Sequence, residues 1–159
     1  MRGHAPPRSK PFGRQFGHMT QPWNTSAKDR ISALLRQAGL RPTRQRLVLG
    51  RLLFAGEDRH VSAEGLHTEV EGAGEHVSLA TVYNTLHQLK LAGLLRELAI
   101  DGQRTYFDTN TSNHNHFYDQ ERGVVFDIPA DQIRVDGLPQ PPDGMKITHI
   151  DVVVRLAKA

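Results

Sequence analysis

Apolar residues recur at helical spacing in four segments of the N-terminal half. The first segment is predicted to end at Gly39, a typical helix terminator. Thr43, Ser62 and Ser78 can each cap a further helix, because a hydroxyl accepts a hydrogen bond from a free backbone N–H. The short turn at residues 72–74 makes the third and fourth helices a helix-turn-helix candidate. The positions predicted to face the core are Ile31, Leu34, Leu35 and Ala38; Leu47, Val48, Leu52 and Ala55; Ala63, Leu66 and Val70; and Leu79, Val82, Leu86 and Leu89.

Two strand-like runs follow the helices. They cover residues 95–100 and 103–107 and flank Asp101-Gly102, a dipeptide typical of a tight hairpin. Helices followed by a two-stranded wing predict a winged-helix domain, which we place at residues 25–108.

Short β-branched and aromatic runs fill the rest of the chain. The predicted strands cover residues 116–118, 124–128 and 146–156, and the proline-rich stretch 138–144 is a predicted loop. In the last strand Ile150, Val152, Val154 and Leu156 share one face by period-2 alternation. Residues 109–159 therefore predict a small α/β domain that is marginal by itself and is completed by dimerisation. The whole chain is predicted to be α+β.

The composition narrows the class of protein. The 159 residues are 38% hydrophobic and 23% charged, and no apolar run is long enough for a membrane span, which predicts a cytoplasmic protein without a membrane partner. Residues 1–24 contain no acid, four Lys or Arg and four Pro, so they predict a disordered basic tail, with Met19 as an alternative start. The absence of cysteine excludes disulfides, cysteine-ligated zinc and thiolate-bound haem.

Charge divides the chain into two unlike parts. Residues 1–60 carry 12 basic and 3 acidic side chains, a net charge of +9, whereas residues 61–159 carry 8 and 14, a net charge of −6. The tail explains only part of the excess, because Arg36, Arg41, Arg44, Arg46, Arg51 and Arg59 lie beyond it. The first part is therefore predicted to bind an anion.

The fourth helix has a polar face suited to reading bases. Opposite its apolar positions lie Thr81, Asn84, Thr85 and Gln88, with Tyr83 at the boundary. Asn and Gln can bond an adenine edge, and Thr or Tyr can contact a thymine methyl. The alternative is an ordinary solvated face. The preceding basic residues, where phosphate contacts would fix the register on DNA, are Arg41, Arg44, Arg46 and Arg51.

His114 and His116 lie two residues apart, so their side chains point to the same side of an extended strand. This spacing suits metal binding, and it is equally compatible with two exposed polar residues.

The motifs together resemble the ferric uptake regulator (Fur) superfamily over about residues 27–156. They are Gly39-Leu40-Arg41-Pro42-Thr43-Arg44-Gln45-Arg46, His60-Val61-Ser62-Ala63-Glu64, Ser78-Leu79-Ala80-Thr81-Val82-Tyr83-Asn84-Thr85-Leu86 and His114-Asn115-His116. The residues around His114-Asn115-His116, Asp127-Ile128 and the Asp151-Val152-Val153-Val154-Arg155-Leu156 ending look most like the iron response regulator (Irr) branch.

This resemblance implies a dimeric winged-helix transcription factor, not an enzyme, with an N-terminal DNA-binding domain, a C-terminal dimerisation domain and a metal site at the hinge. The metal ligands implied by the family pattern are His60, Asp108, His114, His116 and Asp127. The DNA-binding residues implied by position are Arg41, Arg44, Arg46, Ser78, Thr81, Tyr83, Asn84 and Thr85. Arg41 matches the residue that enters the minor groove, and Tyr83, with Thr81 and Asn84, meets base edges of a double-stranded operator.

Such a set of imidazoles and carboxylates suits Fe(II), Mn(II) or Zn(II). Since His60 and Asp108 belong to the first domain and the other three ligands to the second, a bound ion would fix the angle between the domains.

Two further sites of the superfamily are altered in this chain. The structural four-cysteine zinc site is absent, and of the second metal site only His149 is retained, because Asn115 and Arg134 replace usual ligands. Gln21 stands where some Irr proteins have a haem-binding cysteine. Haem can still bind through His114 or His116, and a haem-delivering enzyme is then a further expected partner.

The leading hypothesis is an Irr-like repressor of iron-uptake and haem-biosynthesis genes. A manganese- or peroxide-sensing repressor of the same family is the first alternative. A metal-dependent hydrolase built on His114, His116 and Asp127 is the second, although no residue is recognisable as its general base.

Overall fold

The computed structural model describes residues 25–100, 102 and 104–159. The predicted basic tail, Asp101 and Gln103 lie outside the described residues. The first part of the chain contains α1 (Thr25–Gln37), α2 (Arg44–Phe54), β1 (His60–Ser62), α3 (Ala63–Gly72), α4 (Leu79–Leu91), β2 (Arg96–Leu98) and β3 (Tyr106–Asp108). The second part contains β4 (His114–Asp119), β5 (Val124–Pro129), a 3₁₀ turn (Ala130–Gln132) and β6 (Val153–Leu156). In the described part of the chain, no helix has the length and apolar character needed to cross a membrane.

Three helix starts are capped as predicted. The hydroxyl of Thr43 accepts from the backbone N–H of Arg46, and Ser62 and Ser78 make the equivalent bonds at α3 and α4. Each bond satisfies a donor that has no partner within its helix.

The four helices pack around one hydrophobic core that also includes Phe107 of β3. The buried face of α2 differs from the prediction, because Leu49 and Leu53 point inward and Leu52 is only half-buried. Gly50 lies on this face. A Cβ at Gly50 would come within 2.7 Å of Cγ2 of Ile31, so glycine permits the close approach of α1 and α2.

The first sheet has the strand order β1-β3-β2, and both pairs are antiparallel. The two predicted strands of the wing pair as expected, with Leu98 opposite Tyr106. They are shorter than predicted, and residues 99–105 separate them in place of the expected two-residue turn. The third strand, β1, was not predicted. Helices with this small sheet form a winged-helix domain, and the α+β class is confirmed.

The second sheet has the order β5-β4-β6, with β5 antiparallel and β6 parallel to β4. The last strand is shorter than the predicted run 146–156, because pairing with β4 begins only at Val153. The side chains of His149 and Asp151, which precede it, contact Arg96 of β2. Among the described residues of this second part, the helical structure consists of the 3₁₀ turn.

A second, smaller hydrophobic cluster joins the two sheets. Its buried members are Leu98, Ile100, Tyr106, Tyr118 and Val125, and Val153 packs against them. Because the cluster contains side chains from β2, β3, β4 and β5, the wing is docked on the C-terminal sheet.

Candidate functional site

Five titratable side chains converge where the two sheets meet. They are His60 of β1, Asp108 of β3, His114 and His116 of β4, and Asp127 of β5. Their potential ligand atoms all lie within 4.8 Å of one another. The strand register explains this convergence, because His60 is paired with Asp108 and His116 with Asp127. Paired residues extend to the same face of a sheet.

The two carboxylates face the three imidazoles. Oδ2 of Asp108 lies 2.9 Å from Nε2 of His114, 3.3 Å from Nε2 of His116 and 3.4 Å from Nε2 of His60. Oδ1 of Asp127 lies 3.0 Å from Nε2 of His60 and 3.4 Å from Nε2 of His114. Each imidazole therefore has a nitrogen directed at both acids.

Burial of this cluster leaves polar atoms without partners. Asp108 and His116 have no exposed side-chain surface, and His114 is 5% exposed. Among the described residues, the buried side-chain nitrogens and oxygens without a hydrogen bond are His60 Nε2, His114 Nε2 and His116 Nδ1. Buried polar atoms are normally satisfied, and two of these three, Nε2 of His60 and Nε2 of His114, face both carboxylates, which fits a site for a cation.

Asn110 holds both carboxylates in this orientation. Its backbone N–H donates to Oδ1 of Asp108 at 2.8 Å, and its side-chain Nδ2 donates to Oδ2 of Asp127 at 3.2 Å. Each acid thus uses one oxygen for Asn110 and presents the other to the imidazoles. Asn110 was not among the predicted site residues, although Asp108-Thr109-Asn110 follows a strand and Asp-x-Asn is typical of a turn.

The pKa of the Asp108 carboxyl lies well below its usual range. Burial alone would raise the pKa, but contacts with the imidazoles of His116 and His60 and the hydrogen bond from the backbone N–H of Asn110 outweigh it. Asp108 is therefore a carboxylate, the form that binds a cation.

His149 lies apart from the five-residue cluster. Its Nε2 is 2.9 Å from Oδ1 of Asp151 and 2.8 Å from Nη2 of Arg96. The guanidinium of Arg96 thus supplies a positive charge beside His149, while Arg134 is exposed.

The predicted DNA-binding arginines lie at the start of α2. Arg41 and Arg44 are exposed, and Arg44 forms an ion pair of 3.2 Å with Glu75. Arg46 donates to the side-chain Oε1 of Gln88 at 2.8 Å and to the backbone carbonyl of Arg41 at 2.8 Å. Arg46 therefore connects this basic surface to α4.

The exposed face of α4 is narrower than predicted. Asn84 and Gln88 are exposed, and Thr81 is half-buried. Tyr83 is half-buried and donates its hydroxyl hydrogen to Oε1 of Glu64, which raises the pKa of Tyr83. Ser78 is occupied by the cap, since its hydroxyl bonds the backbone N–H and the hydroxyl of Thr81.

Two assignments on α4 are wrong. Thr85, predicted to contact DNA, is buried, because it lies three residues after Val82 and four before Leu89 and so shares their inward face. Leu79, predicted to be in the core, is 38% exposed, because it is the first residue of the helix and lies beyond the packed turns.

Comparison with known proteins places this geometry in a family. A sequence model described as the Ferric uptake regulator family matches residues 37–155. The chain is similar to the peroxide-responsive repressor PerR of Staphylococcus aureus, with 32% identity over 118 residues, 74% of this chain and 79% of that protein.

Solved structures of ferric uptake regulators are also similar to this chain. A ferric uptake regulator from Pseudomonas aeruginosa with manganese has 28% identity and a TM-score of 0.62, covering 80% of this chain and 97% of that one. The Vibrio cholerae ferric uptake regulator has 25% identity and a TM-score of 0.62, covering 78% and 96%. Members of this family are metal-responsive transcriptional regulators that bind DNA operators as dimers, which excludes the hydrolase alternative. The chain therefore belongs to the ferric uptake regulator family and is a transcriptional regulator, not an enzyme.

Proposed function

We propose that this protein senses a divalent metal through His60, Asp108, His114, His116 and Asp127 and changes its operator affinity in response. The observation that carries the proposal is the convergence of five potential ligand atoms within 4.8 Å. Two of these residues come from the unit that we assign to DNA binding, residues 25–108. The other three come from the unit that we assign to dimerisation and metal sensing, residues 109–159.

The donor set supports Fe(II), Mn(II) or Zn(II). Imidazole and carboxylate ligands without thiolate form a borderline-hard site. When bound, the cation would supply positive charge that compensates the buried carboxylate of Asp108 and the exposed carboxylate of Asp127. The residues themselves supply the geometry, since both acids already face the imidazoles.

His60 connects the cluster to the helices. It begins β1, and Ser62, two residues later, caps α3. Helix α3 packs on α4, and the side chains of Glu64 and Tyr83 bond directly. A constraint on His60 is therefore transmitted to the start of α3 and to the surface that carries Tyr83.

We assign operator binding to this surface. Arg41, Arg44 and Arg46 would contact phosphates or the minor groove, while Tyr83, Asn84 and Thr81 would meet base edges in the major groove. Ser78 contributes by capping α4. The backbone N–H groups at the start of this helix suit a phosphate. Thr85 has no part in this surface.

We assign homodimer formation to residues 109–159. Among the described residues, eight of the ten exposed large hydrophobic side chains lie between positions 124 and 156, and they are Val124, Phe126, Val135, Leu138, Met145, Ile147, Ile150 and Leu156. Apolar surface of this extent in one half is typical of an association surface.

The Irr-like role, control of iron-uptake and haem-biosynthesis genes in the cytoplasm, is our first proposal for physiology. It is supported by the motifs around His114 and by the lack of cysteine. His114 and His116 are both buried, so haem, and any enzyme that delivers it, would reach them only after the cluster opens. Haem and metal should therefore exclude one another.

Peroxide sensing is the second candidate, and the similarity to PerR of Staphylococcus aureus favours it. Imidazoles beside bound Fe(II) are targets for oxidation. Mass spectrometry of the Fe(II)-loaded protein after peroxide treatment should then show a gain of one oxygen on a peptide containing one of the cluster histidines.

The central test measures binding to a duplex selected from random sequences by the wild-type protein, at fixed salt. Apo, Mn(II)-loaded and haem-loaded protein are compared by gel shift. We expect metal loading to change the affinity, and His116→Ala and His60→Ala to abolish the change. Unaltered metal affinity and DNA binding in both variants would refute the proposal, and His67→Ala, a histidine outside the cluster, serves as the control.

A further inference from the structure

Arg96 lies in the same row of residues as two of the proposed ligands. It is paired with Asp108 across β2 and β3, and Asp108 is paired with His60 across β3 and β1. These three side chains therefore extend from the same face of the first sheet, toward the second part of the chain. Unlike the other two, the side chain of Arg96 does not enter the five-residue cluster.

The guanidinium of Arg96 instead bonds three groups of the second part. Nη1 donates to the backbone carbonyl of Ser112 at 2.7 Å, and Nη2 donates to Oδ1 of Asp151 at 2.7 Å. Nη2 also lies 2.8 Å from Nε2 of His149. The side chain is only 15% exposed, so these charge-assisted bonds are partly shielded from water.

The carbonyl of Ser112 also determines which way His114 faces. Nδ1 of His114 lies 2.9 Å from this oxygen, and a carbonyl can only accept, so Nδ1 carries the hydrogen. This leaves Nε2, the atom that faces Asp108 and Asp127, as the nitrogen that can bind a cation. Arg96 and His114 share one acceptor, which explains why Nη1 and Nδ1 approach to 3.4 Å.

We propose that Arg96 is a positioning residue for the metal centre. It fixes the Ser112 carbonyl that selects the tautomer of His114, and through Asp151 it ties the segment before β6 to the wing. This inference rests on the proposed metal-sensing function. The known pattern that a ligating imidazole bonds a backbone carbonyl through its other nitrogen is the general basis for such a role.

The first test measures hydrogen exchange of the Nδ1–H group of His114 in the apo protein by ¹⁵N–¹H correlation spectroscopy. Wild-type protein should show a slowly exchanging Nδ1–H, because this group bonds the Ser112 carbonyl. Arg96→Met should exchange this hydrogen faster, because the carbonyl is no longer held. An unchanged exchange rate in folded Arg96→Met would overturn the proposal without reference to any metal.

The second test measures Mn(II) affinity by isothermal titration. Arg96→Met should bind about tenfold more weakly, the usual effect of losing a group that orients a ligand. Arg96→Lys should recover part of the loss, because one ammonium group keeps the charge but cannot span Ser112 and Asp151 together. If Arg96→Met does not fold, Arg96→Lys decides the matter by the same readouts, and full wild-type affinity together with the wild-type exchange rate of His114 Nδ1–H would overturn the proposal.

Arg122→Met is the matched control. Arg122 is an exposed arginine of the second part with an ion pair of 3.9 Å to Asp119, and its loss should leave the exchange of His114 Nδ1–H and the Mn(II) affinity unchanged. In a double-mutant cycle, Arg96→Met and Asp151→Asn should be non-additive, since both remove one connection. Failure of wild-type protein to bind Mn(II) would count against the proposed function, whereas equal affinities of wild type and Arg96→Met would count against this inference alone.

Discussion

At the scale of single residues, the proposed ligands are held by neighbours whose own chemistry is ordinary. Asn110 bonds one oxygen of each carboxylate, and the carbonyl of Ser112 bonds Nδ1 of His114. These contacts leave the second oxygen of each carboxylate, and Nε2 of His114, directed at the other proposed ligands. The precision of the site therefore depends on the loop between β3 and β4 as much as on the ligands.

Asn110→Ala should weaken Mn(II) binding by about tenfold, in the range typical of groups that orient metal ligands. The variant removes the side-chain bond to Asp127 and the two bonds that Asn110 Oδ1 accepts from Ser112. Isothermal titration with the metal provides the measurement. Asn113→Ala, an exposed asparagine three residues later, should bind as wild type does. Equal affinities of the two variants would contradict the role given to Asn110.

The lowered pKa of Asp108 predicts a pH dependence of the apo protein. A carboxyl with a folded pKa below the unfolded value of about 3.9 stabilises the fold above that value. This contribution is lost as the pH falls through the folded pKa. In urea unfolding with chelator present, the difference in unfolding free energy between wild type and Asp108→Asn should shrink from pH 6 to pH 3. A difference that stays constant or grows would show that the sign is wrong.

At the scale of elements, the features that could be predicted from the sequence are those that depend on residues close together along the chain. The caps at Thr43, Ser62 and Ser78 were predictable because capping involves residues only three apart. The strand β1 was not, because three residues become a strand only by pairing with residues 106–108, far along the chain.

The same distinction applies to the candidate site. The shared direction of His114 and His116 follows from strand periodicity and is seen in β4. The three further ligands followed only from family resemblance, and their convergence depends on how two sheets meet. Arg96 could not be found from sequence, because its partners Ser112 and Asp151 are distant and carry no recognisable motif.

The corrected face of α4 predicts different effects for two adjacent positions. Asn84→Ala should lower affinity for the selected duplex by about tenfold, since a good bidentate base contact is worth about 1–3 kcal/mol. Thr85→Val should leave the affinity unchanged, because Thr85 is buried and valine has a similar shape. Fluorescence anisotropy with labelled duplex measures both. A loss with Thr85→Val as large as that with Asn84→Ala would restore the original assignment.

The contact between α1 and α2 predicts a stability effect. Gly50→Ala should lower the free energy of unfolding, because overpacking against Ile31 costs about 1–3 kcal/mol, and helix propensity returns only about 1 kcal/mol. Chemical denaturation gives the value. Gly72→Ala is the matched control, a helical glycine with open space around it, and it should be neutral or stabilising. Destabilisation by both variants alike would rule out the steric explanation.

At the scale of the whole molecule, two clusters of side chains join the two halves, in addition to the bonds that Arg96 makes to Ser112 and Asp151. The five-residue cluster is one connection, and the hydrophobic cluster around Tyr106 and Tyr118 is the other. The second is reinforced by hydrogen bonds from Tyr106 to the carbonyl of Gly123 and from Arg155 to that of Ile100. Since this second connection requires no metal, the wing should stay docked when metal is removed, and metal should act on the His60 side of the hinge.

Ile100→Ala tests whether these two connections are independent. Ile100 is buried in the hydrophobic cluster and lies outside the strands that carry the metal ligands, so its truncation should weaken that connection and leave the ligands in place. In hydrogen exchange, chelation of wild-type protein should change little at residues 98–106, whereas chelation of Ile100→Ala should markedly raise exchange there, and Mn(II) should reverse it. Ile147→Ala, the same truncation at an exposed position, is the matched control. If chelation exposes residues 98–106 equally in wild type and Ile100→Ala, the metal cluster holds the wing in place, and the hydrophobic connection has no independent strength.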